Sequence, residues 1–185
     1  MDQIAFWNMT WGFLAAQFVG FIGLLMNVVS YQANTNRRIV RIQVFGALFW
    51  CLHFLLLGRT IPGAYTGAAL NAAGLLRNLI FAMRPRKWAA HPAWLYVFCG
   101  VYVVCGALTW NGPMSLLPMA GMLFGTVSLY LINPKLTRRL GLGSSCTWMA
   151  YNICTRSAAG IICEVFTLGS IGIAMFKFDR KPREE

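Results

Sequence analysis

Acidic residues are scarce in this chain. Only five of its 185 residues are Asp or Glu against sixteen Lys or Arg, and charged residues of both signs make up 11%, whereas a soluble domain carries about a quarter. That scarcity excludes an ordinary soluble fold with a charged shell. The two histidines, His53 and His91, fall in different apolar segments with no acid cluster beside them, so no metal centre is expected. HExxH, P-loop and GxSxG patterns are missing, and Gly141-Leu142-Gly143-Ser144-Ser145 lacks the strand and third glycine of a dinucleotide loop. The expectation is no catalytic set, no enzyme and no cofactor. Six cysteines form no CxxC pair and lie inside apolar runs, where buried free thiols are expected rather than a disulfide framework. The start, MDQIAFWNMTW, lacks the basic segment of a signal peptide and reads as the approach to an uncleaved first span; its Asn8-Met9-Thr10 sequon matters only in a glycosylating host.

Apolar residues are abundant instead. They make up 58% of the chain, and 14% is aromatic, with a mean hydropathy of +0.58. About 20 such residues at 1.5 Å rise cross a hydrocarbon layer of roughly 30 Å. Cutting at charges and turn signals predicts seven spans, 12–34, 42–58, 61–83, 90–109, 114–133, 140–155 and 157–176. The cut inside the uncharged stretch from Trp88 to Pro134 falls at Trp110-Asn111-Gly112-Pro113, where turn residues cluster. The whole chain then reads as one all-α membrane domain: a first three-helix bundle over 12–83, a linker helix over 90–109, a second bundle over 114–176 and a tail over 177–185.

A net charge of +11 would suit a polyanion if gathered on a soluble face. Here the basic residues cluster between spans, so topology is the expected reason and nucleic acid is not an expected partner. Arg37, Arg38 and Arg41, then Arg84, Arg86 and Lys87, then Lys135, Arg138 and Arg139, then Lys177, Arg180, Lys181 and Arg183 all fall on one side, against Arg59 and Arg156 on the other. The amino terminus is expected outside, the carboxyl terminus inside, with the basic face near anionic lipid. Three crossings invert the chain and a fourth restores its direction, which explains two arginine-rich stretches 98 residues apart on the same side. Shifting the chain by those 98 residues matches Gly23 with Gly121, Ser30 with Ser128, Arg41 with Arg139 and Trp50 with Trp148. Parallel repeats of this kind occur in transporters.

With that layout the chain resembles the SWEET and PQ-loop (MtN3-like) superfamily, whose members have a 3+1+3 arrangement with the amino terminus outside. Residues 41–81, RIQVFGALFWCLHFLLLGRTIPGAYTGAALNAAGLLRNLIF, are similar to the bacterial inner-membrane family called YgjV. The amino-terminal membrane region of lipid A biosynthesis proteins is a more distant look-alike. The name-giving Pro-Gln pair is missing: span one has Gln17 without proline, Pro62 only opens span three, and Pro118 lies inside span five. The resemblance implies a carrier or facilitator of a small polar solute in the bacterial inner membrane; the alternative is a non-transporting protein that binds lipid or a partner, and a homo-oligomer stays open.

Polar and ring residues at membrane depth are the candidate site. Spans two and six, cut at their charges, are short and occupy matching places, which points to a central site between repeats. Trp50 and Trp148 fall near their middles, where ring faces could line both sides of a pocket. The resemblance implies solute contacts for a tryptophan and a third-span asparagine, nearest here to Trp50 and Asn71; Asn27 and Asn152 are further candidates, with neighbouring helices as the competing partners for all three amides. Glu164 lies about two turns into span seven and His53 is placed at similar depth, with Tyr151 as its repeat mate. These three are read as an outer, proton-sensitive gate, with Glu164 alternatively a binding carboxylate or, beside Arg59 and Arg156 at the rim, part of an ion pair closing that end. Arg77 is read as snorkelling to the inner surface, with a solute contact as the alternative. Gly63-x-x-x-Gly67 and Gly121-x-x-x-Gly125 read as close-packing faces.

Overall fold

The computed structural model describes residues 3–4, 9–31, 36–83, 85–130 and 134–179. Two short antiparallel strands, β1 (Gln3–Ile4) and β2 (Met9–Thr10), precede seven helices: α1 (Trp11–Tyr31), α2 (Asn36–Leu57), α3 (Ala64–Ala82), α4 (Ala93–Leu108), α5 (Leu116–Tyr130), α6 (Pro134–Cys154) and α7 (Ala158–Asp179). The sequon Asn8, Arg84 and the tail from Arg180 lie outside the described residues. The all-α class and the number of helices agree with the sequence.

Local chemistry sets the helix ends. Thr10 Oγ1 accepts the Phe13 N–H at 3.2 Å, capping α1. Gly112, at φ 80, makes the turn before Pro113, a conformation that favours glycine, and a 3-10 turn over Pro113–Ser115 leads into α5. At the end of α6 the Ser157 N–H reaches Asn152 O at 2.9 Å and the Arg156 N–H reaches Ile153 O at 3.2 Å. Those two bonds are a Schellman turn, with Arg156 in the left-handed position at φ 51 where glycine is usual. Ser157 then caps α7, its Oγ accepting the Gly160 N–H at 3.1 Å.

Two expectations about elements are corrected. The arginine-rich stretches are opening turns rather than loops: Arg37, Arg38 and Arg41 lie in α2, and Lys135, Arg138 and Arg139 in α6. Arg and Lys are good helix formers, and Pro134 fits a first helical position, so neither helix has reason to wait for the apolar run. Helices α2 and α6 are therefore 22 and 21 residues long, not short. Pro118, expected inside its span, is the third residue of α5, where proline removes no needed hydrogen bond.

Within the chain α1 packs on α2 and α2 on α3, while α5 packs on α6 and α6 on α7; α4 touches α3 and α5, and the two groups meet through α1–α7 and α3–α5. The apolar core has two parts. One joins Trp50, Phe54, Leu57, Ala68 and Tyr151; the other joins Leu70, Phe98, Tyr102 and Met122; Trp148 packs against both. All six cysteines are free thiols, but only Cys163 is buried, and Cys146 and Cys154 face outward, correcting the expectation of buried thiols. Among the described residues no helix is long and apolar enough to cross a membrane.

Candidate binding cavity

A cavity of about 710 Å³ lies among α1, α2, α3, α5, α6 and α7, within the range of small-molecule sites. Asn27, Trp50, Asn71, Trp148, Asn152 and Glu164 all line it. At one extreme it meets Phe54, Asn152 and Gly160, and at the other it reaches Gln43, Arg138 and the outward-facing Ser170, towards the ends that carry the basic turns. Its wall mixes ring faces with amide and hydroxyl groups, so a guest could meet both.

The rings do not face each other across open space, as the sequence suggested. Phe54 stands between the two indoles: its centroid is 6.1 Å from Trp50 and 5.9 Å from Trp148, with interplanar angles of 30° and 31°. Trp148 in turn meets Tyr151 edge-on at 5.7 Å. The result is one continuous aromatic wall drawn from α2 and α6. Glycines let the indoles sit where they do. A Cβ on Gly23 of α1 would lie 3.2 Å from the Trp50 ring, and one on Gly121 of α5 would lie 2.7 Å from the Trp148 ring.

Among the polar candidates, Asn71 donates Nδ2 to Gly67 O of its own helix at 2.9 Å. Asn27 reaches Cys163 Sγ at 3.7 Å, linking α1 to α7. Asn152 is 2% exposed and its Oδ1 has no hydrogen-bond partner among the described residues. Glu164 is half-buried beside the Ser145 hydroxyl. Arg77 is the main correction here. It does not snorkel: it is buried, and it holds Thr126 Oγ1 through Nη1 at 2.7 Å and Asn78 Oδ1 through Nε and Nη2 at 3.2 and 3.1 Å. Its helix packs against α5, so the guanidinium meets Thr126 before it meets a lipid surface.

His53 and Tyr151 are not part of this lining. They belong to a buried hydrogen-bonded cluster behind Phe54. His53 Nδ1 lies 2.7 Å from Ala16 O and Nε2 lies 2.8 Å from Ser157 Oγ. A carbonyl can only accept, so the neutral ring carries its proton on Nδ1 and Nε2 accepts from the Ser157 hydroxyl. Tyr151 Oη donates to Gly63 O and accepts from the Gly67 N–H, both at 2.8 Å, bridging α6 to the first turn of α3. Gln17 adds Nε2 to Arg156 O at 2.9 Å, and Thr66 Oγ1 reaches Thr109 O at 2.7 Å. His53 and Glu164 are thus not at one depth: Ser157, which holds His53, precedes Glu164 by roughly two turns, or about 10 Å of helix. The expected trio of Glu164, His53 and Tyr151 is therefore split between cavity and cluster.

Sequence reasoning passed over Phe54, Asn78, Thr126, Ser157 and Gln17. Each is an ordinary residue for a helix of this composition; only the azimuth around the helix, which one sequence does not give, brings it to the site.

A family model described as bacterial inner membrane protein, Imp-YgjV, matches residues 14–182, covering α2 to α7 and all but the opening of α1. No curated protein and no solved structure matches the chain.

Proposed function

The chain belongs to the Imp-YgjV family of bacterial inner membrane proteins, and on that premise we propose that its seven helices cross the membrane as two like-oriented trios joined by α4, with the cavity carrying a small polar solute. The observation that carries this reading is the cavity itself, lined by Trp50, Phe54 and Trp148, with the hydrogen-bonded His53 and Tyr151 packed behind Phe54.

The repeat has support in packing. Under the 98-residue shift Gly23 and Trp50 become Gly121 and Trp148, and both pairs make the same glycine-on-indole contact. Asn27 beside Gly46 becomes Gly125 beside Ser144, and those two pairs also touch, with the bulkier partner exchanged. A two-fold exchange of trios turns α1–α7 into α5–α3, and both contacts exist. These pairings are what SWEET-like parallel repeats, with an axis along the membrane normal, would produce. The Pro-Gln motif is lacking and Pro118 sits in a first turn, so any rocking here would bend elsewhere than at a mid-helix proline.

Side chains also favour a lipid surround. Phe18, Leu25, Phe45, Leu76 and Tyr96 face outward, while Gln17, His53, Asn71, Arg77, Thr126 and Asn152 are buried. So many large apolar side chains outside, with an arginine and several amides inside, suit a lipid surround. The basic turns of α2 and α6 would lie at the cytoplasmic surface, leaving the cavity facing inward and the His53 cluster facing out.

The test is uptake of a broad panel of labelled sugars, amino acids and small organic acids into liposomes holding the purified protein. At least one solute should enter, and Trp148→Ala or Asn71→Ala should slow it about tenfold or more, as expected when a contact worth roughly 1.4 kcal/mol is removed. If nothing in the panel moves and nothing raises the melting temperature, the carrier reading fails, and a lipid- or partner-binding protein takes its place.

A further inference from the structure

Arg77 has a property the carrier reading does not use. Its side chain is 8% exposed and lines the cavity. Both its hydrogen-bond partners, Thr126 and Asn78, are neutral. Among the described residues no carboxylate stands within ion-pair distance of it. A guanidinium keeps its proton in a protein, and a charge held away from water without a counter-charge is costly. The two neutral partners do something else: they fix the plane of the head group and use three of its five donors. The buried Tyr102 hydroxyl stands beside Arg77 and Thr126 without a well-formed hydrogen bond of its own.

The rest of the lining leans the same way. Arg77 and Arg138 are its cationic members and Glu164 its single carboxylate. The Trp50, Phe54 and Trp148 rings supply an apolar wall in the same cavity.

We propose that Arg77 anchors an anionic group, a carboxylate or a phosphate, on the molecule the cavity takes, and that the three rings receive that molecule's apolar part. The proposal rests on the reading of the cavity as a binding site. An oriented guanidinium suits these anions because its paired N–H groups match two oxygens at once. The anion could belong to a free solute or to a lipid headgroup, and the two are separated by the choice of probe.

The experiment titrates purified protein in a neutral detergent at low ionic strength, read by tryptophan fluorescence and by melting temperature. The soluble probes are phenyl phosphate, benzoate and the neutral benzyl alcohol; the lipid probes are phosphatidylglycerol and phosphatidylcholine. Phenyl phosphate and benzoate should bind saturably and raise the melting temperature, and benzyl alcohol should not. Arg77→Gln should weaken phenyl phosphate by about thirtyfold or more, and Arg77→Lys, which keeps the charge but loses the fork, by less. Should the Gln variant fail to fold, the wild-type preference for phenyl phosphate over benzyl alcohol decides the matter alone. Saturable binding of phosphatidylglycerol with no response to the soluble anions would keep the anchor and overturn the solute carrier. Equal binding of charged and neutral probes, or full affinity in a folded Arg77→Gln, would overturn the anchor while a carrier of neutral solutes stands. No response to any anion, soluble or lipid, would also overturn it.

Discussion

Tyr151 shows how one hydroxyl can close a helix end. Its oxygen sits between Gly63 O and the Gly67 N–H, taking the place of the helical bond those two groups would otherwise make. Removing it in Tyr151→Phe leaves two backbone groups that can relax toward each other, so the loss should stay near about 1 kcal/mol, the usual net value of a hydrogen bond. Gly67→Ala should be worse. Its Cβ would stand 2.7 Å from the Tyr151 oxygen and 3.0 Å from the Phe54 ring, and overpacking of a close contact costs about 1–3 kcal/mol. Thermal unfolding of the two variants checks the order; a Gly67→Ala protein as stable as wild type would mean that α3 and α6 do not meet so closely. At this scale the sequence told much about which residues matter and little about with whom they pair. Charge and ring type marked Glu164, Trp50 and Trp148, but the pairing of His53 with Ser157, 104 positions away, depends on a Schellman turn whose left-handed residue is an arginine. No glycine announced that turn.

Helix boundaries were legible wherever a turn residue forced them, as at Gly112-Pro113, and illegible where charge stood in for a boundary. Cutting after Arg41 and Arg139 made α2 and α6 look short, although arginine and lysine continue a helix comfortably beyond an apolar run. Both helices nevertheless contribute a tryptophan, Trp50 and Trp148, to the cavity lining. The glycines that receive these rings provide an element-scale prediction. In each case alanine would improve helix propensity by up to about 1 kcal/mol. On α1 the new Cβ at Gly23 would meet Trp50 at 3.2 Å, a contact a small shift can relieve; on α5 the one at Gly121 would meet Trp148 at 2.7 Å and Thr147 Oγ1 at 2.9 Å. Gly23→Ala should therefore be close to neutral and Gly121→Ala should lose about 1–3 kcal/mol. Melting curves in one detergent compare them, and the reverse order would show that the α5–α6 seam is looser than the α1–α2 seam.

For the whole molecule the decisive relation is between hydropathy and direction. Gln17, His53, Asn71 and Arg77 are each turned inward. The outer surface, with Phe18, Leu25, Phe45 and Leu76, is what lipid would meet. In the proposed topology Arg59 and Arg156 lie at the His53 end, and Lys135 and Arg139 open α6 at the other. A seven-crossing chain must keep these groups on opposite faces. In spheroplasts, a membrane-impermeant maleimide should label Arg59→Cys directly and Lys135→Cys only after the membrane is permeabilised, with the unsubstituted protein controlling for the six native thiols. Labelling of both positions from the same side would remove the crossing pattern, and with it the common direction of the two trios on which a path through their centre depends.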